Sequence, residues 1–370
     1  MFQTMRSTRL LLLLGLASGS ALAQGKPVEL TRPDAKLNES FSQLAALREL
    51  KDGRVLLVDV KEKLVQIGDF TKNTVQTISR NGSGPGEYNL PAGLVAMPGD
   101  QTWVYDPLNQ RFLVVTGDGK PGEMVTFSSL GGLKGFAMML LPAADARGRL
   151  YFEAVNRATL GGKDSTAVLR WTRGQTKLDT AGYTAPMDFG IESKGGKVRL
   201  RSMQMFVPQE TWVVDPAGRL GRVTPAPYRV IWYEAPGKST VGPAVPFEPV
   251  PVVEEEKEEI RKAIKQAIAG VGAARAKIEI PEPEFAPTKP PFPARGAALI
   301  GPGGEVWVGR SVRYKDKSRY DRFDSKGRPT GQVVLAPRST VLSFGKGVVY
   351  VARKDEDDLM YVERYRWPAR

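Results

Sequence analysis

The feature that most limits the fold is a strand-sized pattern that returns six times. The windows read GRVLLVD (53–59), DQTWVYD (100–106), GRLYFEA (148–154), QETWVVD (209–215), GEVWVGR (304–310) and VVYVAR, ending at 353. Their ends lie 47, 48, 61, 95 and 43 residues apart. Around the first window the chain runs as four short apolar or β-branched stretches. These are the run ending at Lys51-Asp52-Gly53, then 55–60, 64–70 and 74–79, each followed by turn residues. Four strands about every ten residues make one up-and-down sheet, and repetition of such sheets marks a β-propeller. The expected fold is therefore all-β: a six-bladed propeller over residues 24–370. Trp103, Tyr105, Tyr151, Trp212, Trp307 and Tyr350 stand at strand spacing in these windows and are expected to pack blade against blade.

The last repeat has inner, second and third strands near 341–344, 348–352 and 360–365, and then the chain ends one strand short. An orphan strand at 26–31 is expected to fill that place and close the ring, with 32–43 as a linker. Ahead of it, Arg6 and Arg9 precede the apolar run 10–16, and Ala21-Leu22-Ala23 suits a cleavage site. Residues 1–23 thus read as a signal peptide cleaved after Ala23, which implies a periplasmic or secreted protein. The apolar run is too short to span a bilayer, so no transmembrane segment is expected.

The chain has no cysteine and no histidine. Disulfides and thiolate metal sites are excluded, and so are the usual forms of Ser-His-Asp and zinc hydrolysis. Calcium or magnesium held by carboxylates and carbonyls stays allowed. The net charge is +13, and +11 once the two arginines of the leader are removed. For an exported protein that excess points away from nucleic acid and toward an anionic lipid, an acidic glycan or an acidic protein.

The 95-residue spacing holds an insertion, 243–295. It opens with Pro243, Pro246, Pro249 and Pro251 and returns through the proline-rich 281–293. Between them, 253–270 reads as a helix. Ile260, Ile264, Ile268 and Val271 form one stripe, Glu254, Glu255 and Glu256 open it, and Gly270 and Gly272 end it. Such a helix either lies across one face of the ring or stands out from its rim.

Three stretches carry a resemblance. Arg80-Asn81-Gly82-Ser83-Gly84-Pro85-Gly86-Glu87-Tyr88 is similar to the G-x-G-x-G-E-[FY] crossing between blades of NHL-type propellers. Asp106-Pro107-Leu108-Asn109-Gln110-Arg111 matches their D-x-x-N-x-R turn. The return 290–308 resembles bacterial exported members of the group. The resemblance implies a six-bladed propeller related to NHL-repeat proteins. It also implies a spread of roles, from binding proteins, RNA or sugars to lactonases and amidating lyases. Within the first stretch, Arg80 and Glu87 are expected to close the turn, with glycine supplying a positive φ.

Three sets of residues are candidates for function. Lys134, Arg201 and Arg295, with Arg199 nearby, start inner strands and would make a cationic channel mouth. The aligned window ends put Asp59, Asp106 and Asp215 on one arc of a rim, and Arg310 and Arg353 on the other. Asp59, Asp106, Asn109 and Asp215 are the calcium ligands that a lactonase-like site would draw on. The reading that follows is an exported, non-catalytic propeller that needs no cofactor. It would bind a protein, an anionic glycan or a small ligand at the channel face. The alternatives are a calcium-dependent, lactonase-like hydrolase and a structural scaffold of an envelope assembly that docks through 253–270.

Overall fold

A computed structural model describes residues 26–130, 138–155, 165–186, 191–194, 197–235, 237–270, 281–293 and 296–367. Six antiparallel sheets of four sequential positions form a ring. The inner strands are Leu44–Glu49, Gly93–Met97, Met138–Ala144, Thr211–Val214, Ala298–Ile300 and Ser339–Gly345. The second strands are Val55–Asp59, Gln101–Asp106, Leu150–Val155, Leu220–Pro225, Val306–Arg310 and Val348–Lys354. This is the six-bladed propeller that the repeat implied.

The core is divided as such a ring demands. Each sheet buries both faces, so apolar side chains collect between blades rather than in one central mass. Six buried clusters result, one for every pair of neighbouring blades. All six window aromatics lie in them, from 0% exposure at Tyr151 and Trp307 to 7% at Tyr105. Buried polar ties cross the same boundaries. Tyr228 donates to Asp321 (2.9 Å), Tyr350 to Glu49 (2.6 Å) and Trp212 Nε1 to Glu153 (2.7 Å).

Closure uses the amino-terminal segment, but not the part expected. The fourth strand of blade six is Ala35–Lys36, antiparallel to Met360–Arg366. Hydrogen bonds from Asp34, Leu37 and Phe41 extend that pairing. Val28–Leu30 instead lies parallel to Pro329–Pro337, as a fifth strand on blade five. The closing strand has no apolar run to mark it, because polar Asn38, Glu39 and Ser40 separate its two anchors. Those anchors, Leu37 and Phe41, are 0% and 3% exposed.

The second correction concerns blade four. Its window strand, Thr211–Val214, is the innermost of the sheet, not the second. The turn after it, Asp215 to Arg219, therefore lies on the opposite face of the ring from the ends of the second strands. One face, here the turn face, carries the links from first to second and third to fourth strands. The other, the crossing face, carries the links from second to third strands and the crossings between blades.

The helix is present as Glu254–Gly270, between blades four and five. It lies on its own chain. Glu256 pairs with Lys289 at 2.6 Å, and Tyr314 in the blade-five link donates to Glu259. Arg261 lies over the Phe285 ring at 5.2 Å. The flanking Val250–Pro251 and Thr288–Lys289 pair as a short stem.

Candidate functional site at the crossing-face mouth

The channel wall is chemically bare where its residues are described. The exposed residues on the inner strands of blades one, two and six are Ala45, Ala96 and Thr340. The charged pair on blade one's inner strand is turned to neighbours. Arg48 bonds Thr102, the carbonyl of Gln101 and Asp100, while Glu49 accepts from Tyr350 and the Lys346 amide. Chemistry is thus left to the ends of the channel.

Asp59 and Asp106 do end their second strands on the crossing face, both buried. Their oxygens are spent on backbone. Asp59 accepts from the amides of Ser42, Gln43, Lys61 and Glu62 at 2.7–3.2 Å. Asp106 accepts from the amides of Asn89 and Leu90 and from Asn109 Nδ2 (2.8 Å). Each carboxylate therefore fastens the start of its own blade's inner strand to the second strand. Asn109 also donates to the Gly82 carbonyl, and Arg111 to the carbonyls of Ser83, Gly84 and Glu87. The D-x-x-N-x-R turn is a clamp on the glycine-rich crossing beside it. That accounts for its full form in blade two, where this crossing arrives.

The crossing closes itself as expected. Arg80 Nε meets Glu87 Oε1 at 2.6 Å, Gly84 donates to Glu87 Oε2, and Gly86 has φ +74°. The Gly84 amide and then the Arg80 guanidinium hold the Glu87 carboxyl below its ordinary value.

Asp215, on the turn face, accepts from the Arg219 amide and Nε (2.8 and 2.7 Å). The expected calcium set is not brought together. Among the described residues no three acidic side chains are gathered as a metal would need. Asp59, Asp106, Asn109 and Asp215 do not fit calcium: two carboxylates are filled by N–H donors and one lies across the ring.

Arg310 and Arg353 end second strands on the crossing face, yet each charge is met. Arg310 pairs with the buried Asp321 at 2.8 Å, and Arg353 with the buried Glu363 at 2.8 Å. Tyr228 and Gln332 complete the shell of Asp321, and Tyr365 that of Glu363. Burial and then the Asp321 charge push the Tyr228 hydroxyl well up. The polarised rim is therefore corrected to a set of internal ties. The acids were legible only as oddities, an Asp and a Glu inside the β runs 317–323 and 360–366.

Of the cationic-mouth set, Arg201 is exposed and has an interaction partner of its own, but it lies in the crossing ahead of blade four and not at the start of that blade's inner strand, Thr211–Val214. Lys134 and Arg295 lie outside the described residues, as do the side chains around Arg199. Arg201 stands where the two longest crossings meet. Gln204–Met205, in the crossing from blade three, runs parallel to Glu284–Phe285, in the crossing from blade four. Phe206 and Phe285 follow at 6.3 Å between ring centres. The two crossings thus raise one wall on this face, where the chain enters the inner strands of blades four and five.

No family model and no curated protein matches the chain. Solved structures do match. Regucalcin, a calcium-binding protein from Agrobacterium tumefaciens, is 10% identical at TM-score 0.45, over 92% of this chain and 97% of that one. A putative exported protein from Bacteroides fragilis is 11% identical at TM-score 0.48, over 92% and 99%. A gluconolactonase from Xanthomonas campestris is 10% identical at TM-score 0.46, over 90% and 91%. A luciferin-regenerating enzyme and the virginiamycin B lyase of Staphylococcus aureus are also matched.

No residue role passes across at such identities. Proteins named as enzymes stand among the matched structures, against the expectation of a non-catalytic propeller.

Proposed function

We propose that the chain is an exported, lactone-opening propeller hydrolase whose site is the crossing-face mouth. The observation that carries this is the joined wall of Gln204–Met205 and Glu284–Phe285. It brings the Phe206 and Phe285 rings together a few residues along the chain from the exposed Arg201, and small-molecule sites combine an apolar wall with a few polar groups. A guanidinium beside such a wall holds a substrate carboxylate in bidentate geometry. Arg201 is assigned that part. The leader 1–23 fits a site outside the cytoplasm.

The test is a panel of lactones, with and without a carboxylate, followed by acid release in the presence of calcium and of a chelator. Turnover is expected. Arg201→Ala should raise KM for the carboxylate-bearing members by about tenfold, the loss of one charge-assisted contact, and leave the neutral ones alone. No turnover of any lactone in either condition would overturn the proposal.

A further inference from the structure

The two faces of the ring are built differently. On the turn face the links are short, and most are closed by a glycine at positive φ, such as Gly53, Gly218 and Gly347. That leaves a flat surface, while the long crossings all lie on the other side. The charges on this face are sorted as well. Its link carboxylates are held at home: Asp52 by Arg54, Asp118 by Lys120 and Asp324 by Arg328 at 2.7–2.9 Å, Asp100 by Arg48 at 3.4 Å, and Glu305 by the Gly303 amide and Trp307 Nε1. Asp145 and Asp215 are buried against Arg149 and Arg219.

The cations outnumber them. Lys51, Arg147, Arg173, Lys177, Lys326 and Lys346 are all exposed, with no ion-pair partner among the described residues. Arg147, Arg173 and Lys177 come from blade three and the others from blades one, five and six, so the charges lie on four blades of the face rather than in one pocket.

We infer that the turn face docks on an anionic lipid surface. A planar spread of separate cations matches a planar sheet of headgroups, and each lysine or arginine near such a surface adds to the attraction. An acidic protein or a glycan chain would call for a groove or a line of charge. Docking this way turns the crossing-face mouth outward to solvent. The inference does not depend on what that mouth does.

Co-sedimentation with vesicles tests it, using the chain from Gln24 onward. This contains every strand of the ring and leaves out the apolar 10–16 stretch. Vesicles rich in phosphatidylglycerol should bind it, and pure phosphatidylcholine should not. Raising salt from about 0.05 M to about 0.5 M should release it. Lys51→Glu, Arg147→Glu, Lys177→Glu, Lys326→Glu and Lys346→Glu together should lower partitioning by at least about tenfold. All five sit in exposed links, and circular dichroism checks that the variant folds. Lys61→Glu, Arg313→Glu and Lys262→Glu, on the crossing face, should leave binding unchanged. Equal loss in both variants, binding to neutral vesicles, or no vesicle binding would each overturn the inference. Retention on an acidic polysaccharide without vesicle binding would give the face to a glycan instead.

Discussion

At the scale of single residues, the acidic side chains of this protein are fasteners. Asp106 shows it best: three N–H groups converge on a buried carboxylate that joins the crossing and the turn at 107–110 to the end of the second strand. Asp106→Ala leaves those donors unpaired in the interior. It is expected to cost about 2–4 kcal/mol in urea unfolding, given the worth of hydrogen bonds to a charged group. Calcium should leave the wild-type midpoint unchanged; a calcium-dependent rise that Asp106→Ala removes would make it a metal ligand after all. The turn-face acids respond to pH. The Thr116 hydroxyl and then the Lys120 ammonium bring the Asp118 carboxyl down from 3.8 to about 2. A depressed folded value means its contribution is complete above the unfolded value and disappears as pH falls through the folded one. The thermal midpoint should therefore drop as pH goes from about 4 to about 2, less steeply in Asp118→Asn. Identical slopes would remove Asp118 from the account.

At the scale of elements, the strands were legible and their places in the sheet were not always. Period-two apolar runs and turn residues identify a strand without saying whether it is first or second. Blade four was offset for that reason: Thr211–Val214 resembles a second strand in composition, and only the pairing with Leu220–Pro225 fixes it. The closing strand was hidden by its length, two residues between polar neighbours. Its weight rests on Leu37, wholly buried against blades six and one. Leu37→Ala should cost about 2–5 kcal/mol, whereas Val28→Ala, on a half-buried fifth strand, should cost under about 1.5 kcal/mol. Chemical unfolding of the two variants decides it, and the reverse order would return closure to Val28–Leu30. The helix was legible because a 3.6 period and an acidic first turn stand out in an all-β chain. Its docking on Lys289 and Tyr314 was not, since those partners lie in other elements.

At the scale of the molecule, the ring holds without disulfides by placing a cluster of apolar side chains at each blade boundary and buried polar ties across several of them. The number of blades could be counted in the sequence because each blade repeats the same strand chemistry. The site could not, because a propeller brings together residues that are far apart in the chain. The meeting of 204–205 with 284–285 has no counterpart in any local pattern. What results is a molecule with two unlike faces, one flat and basic, the other walled and open to the channel.

The claim that activity belongs to the walled face is tested most directly by initial rates with one carboxylate-bearing lactone. Arg201→Ala should raise KM by about tenfold, and Lys346→Ala, on the flat face, should change neither kcat nor KM. Equal effects from the two substitutions, or none from Arg201→Ala, would contradict it.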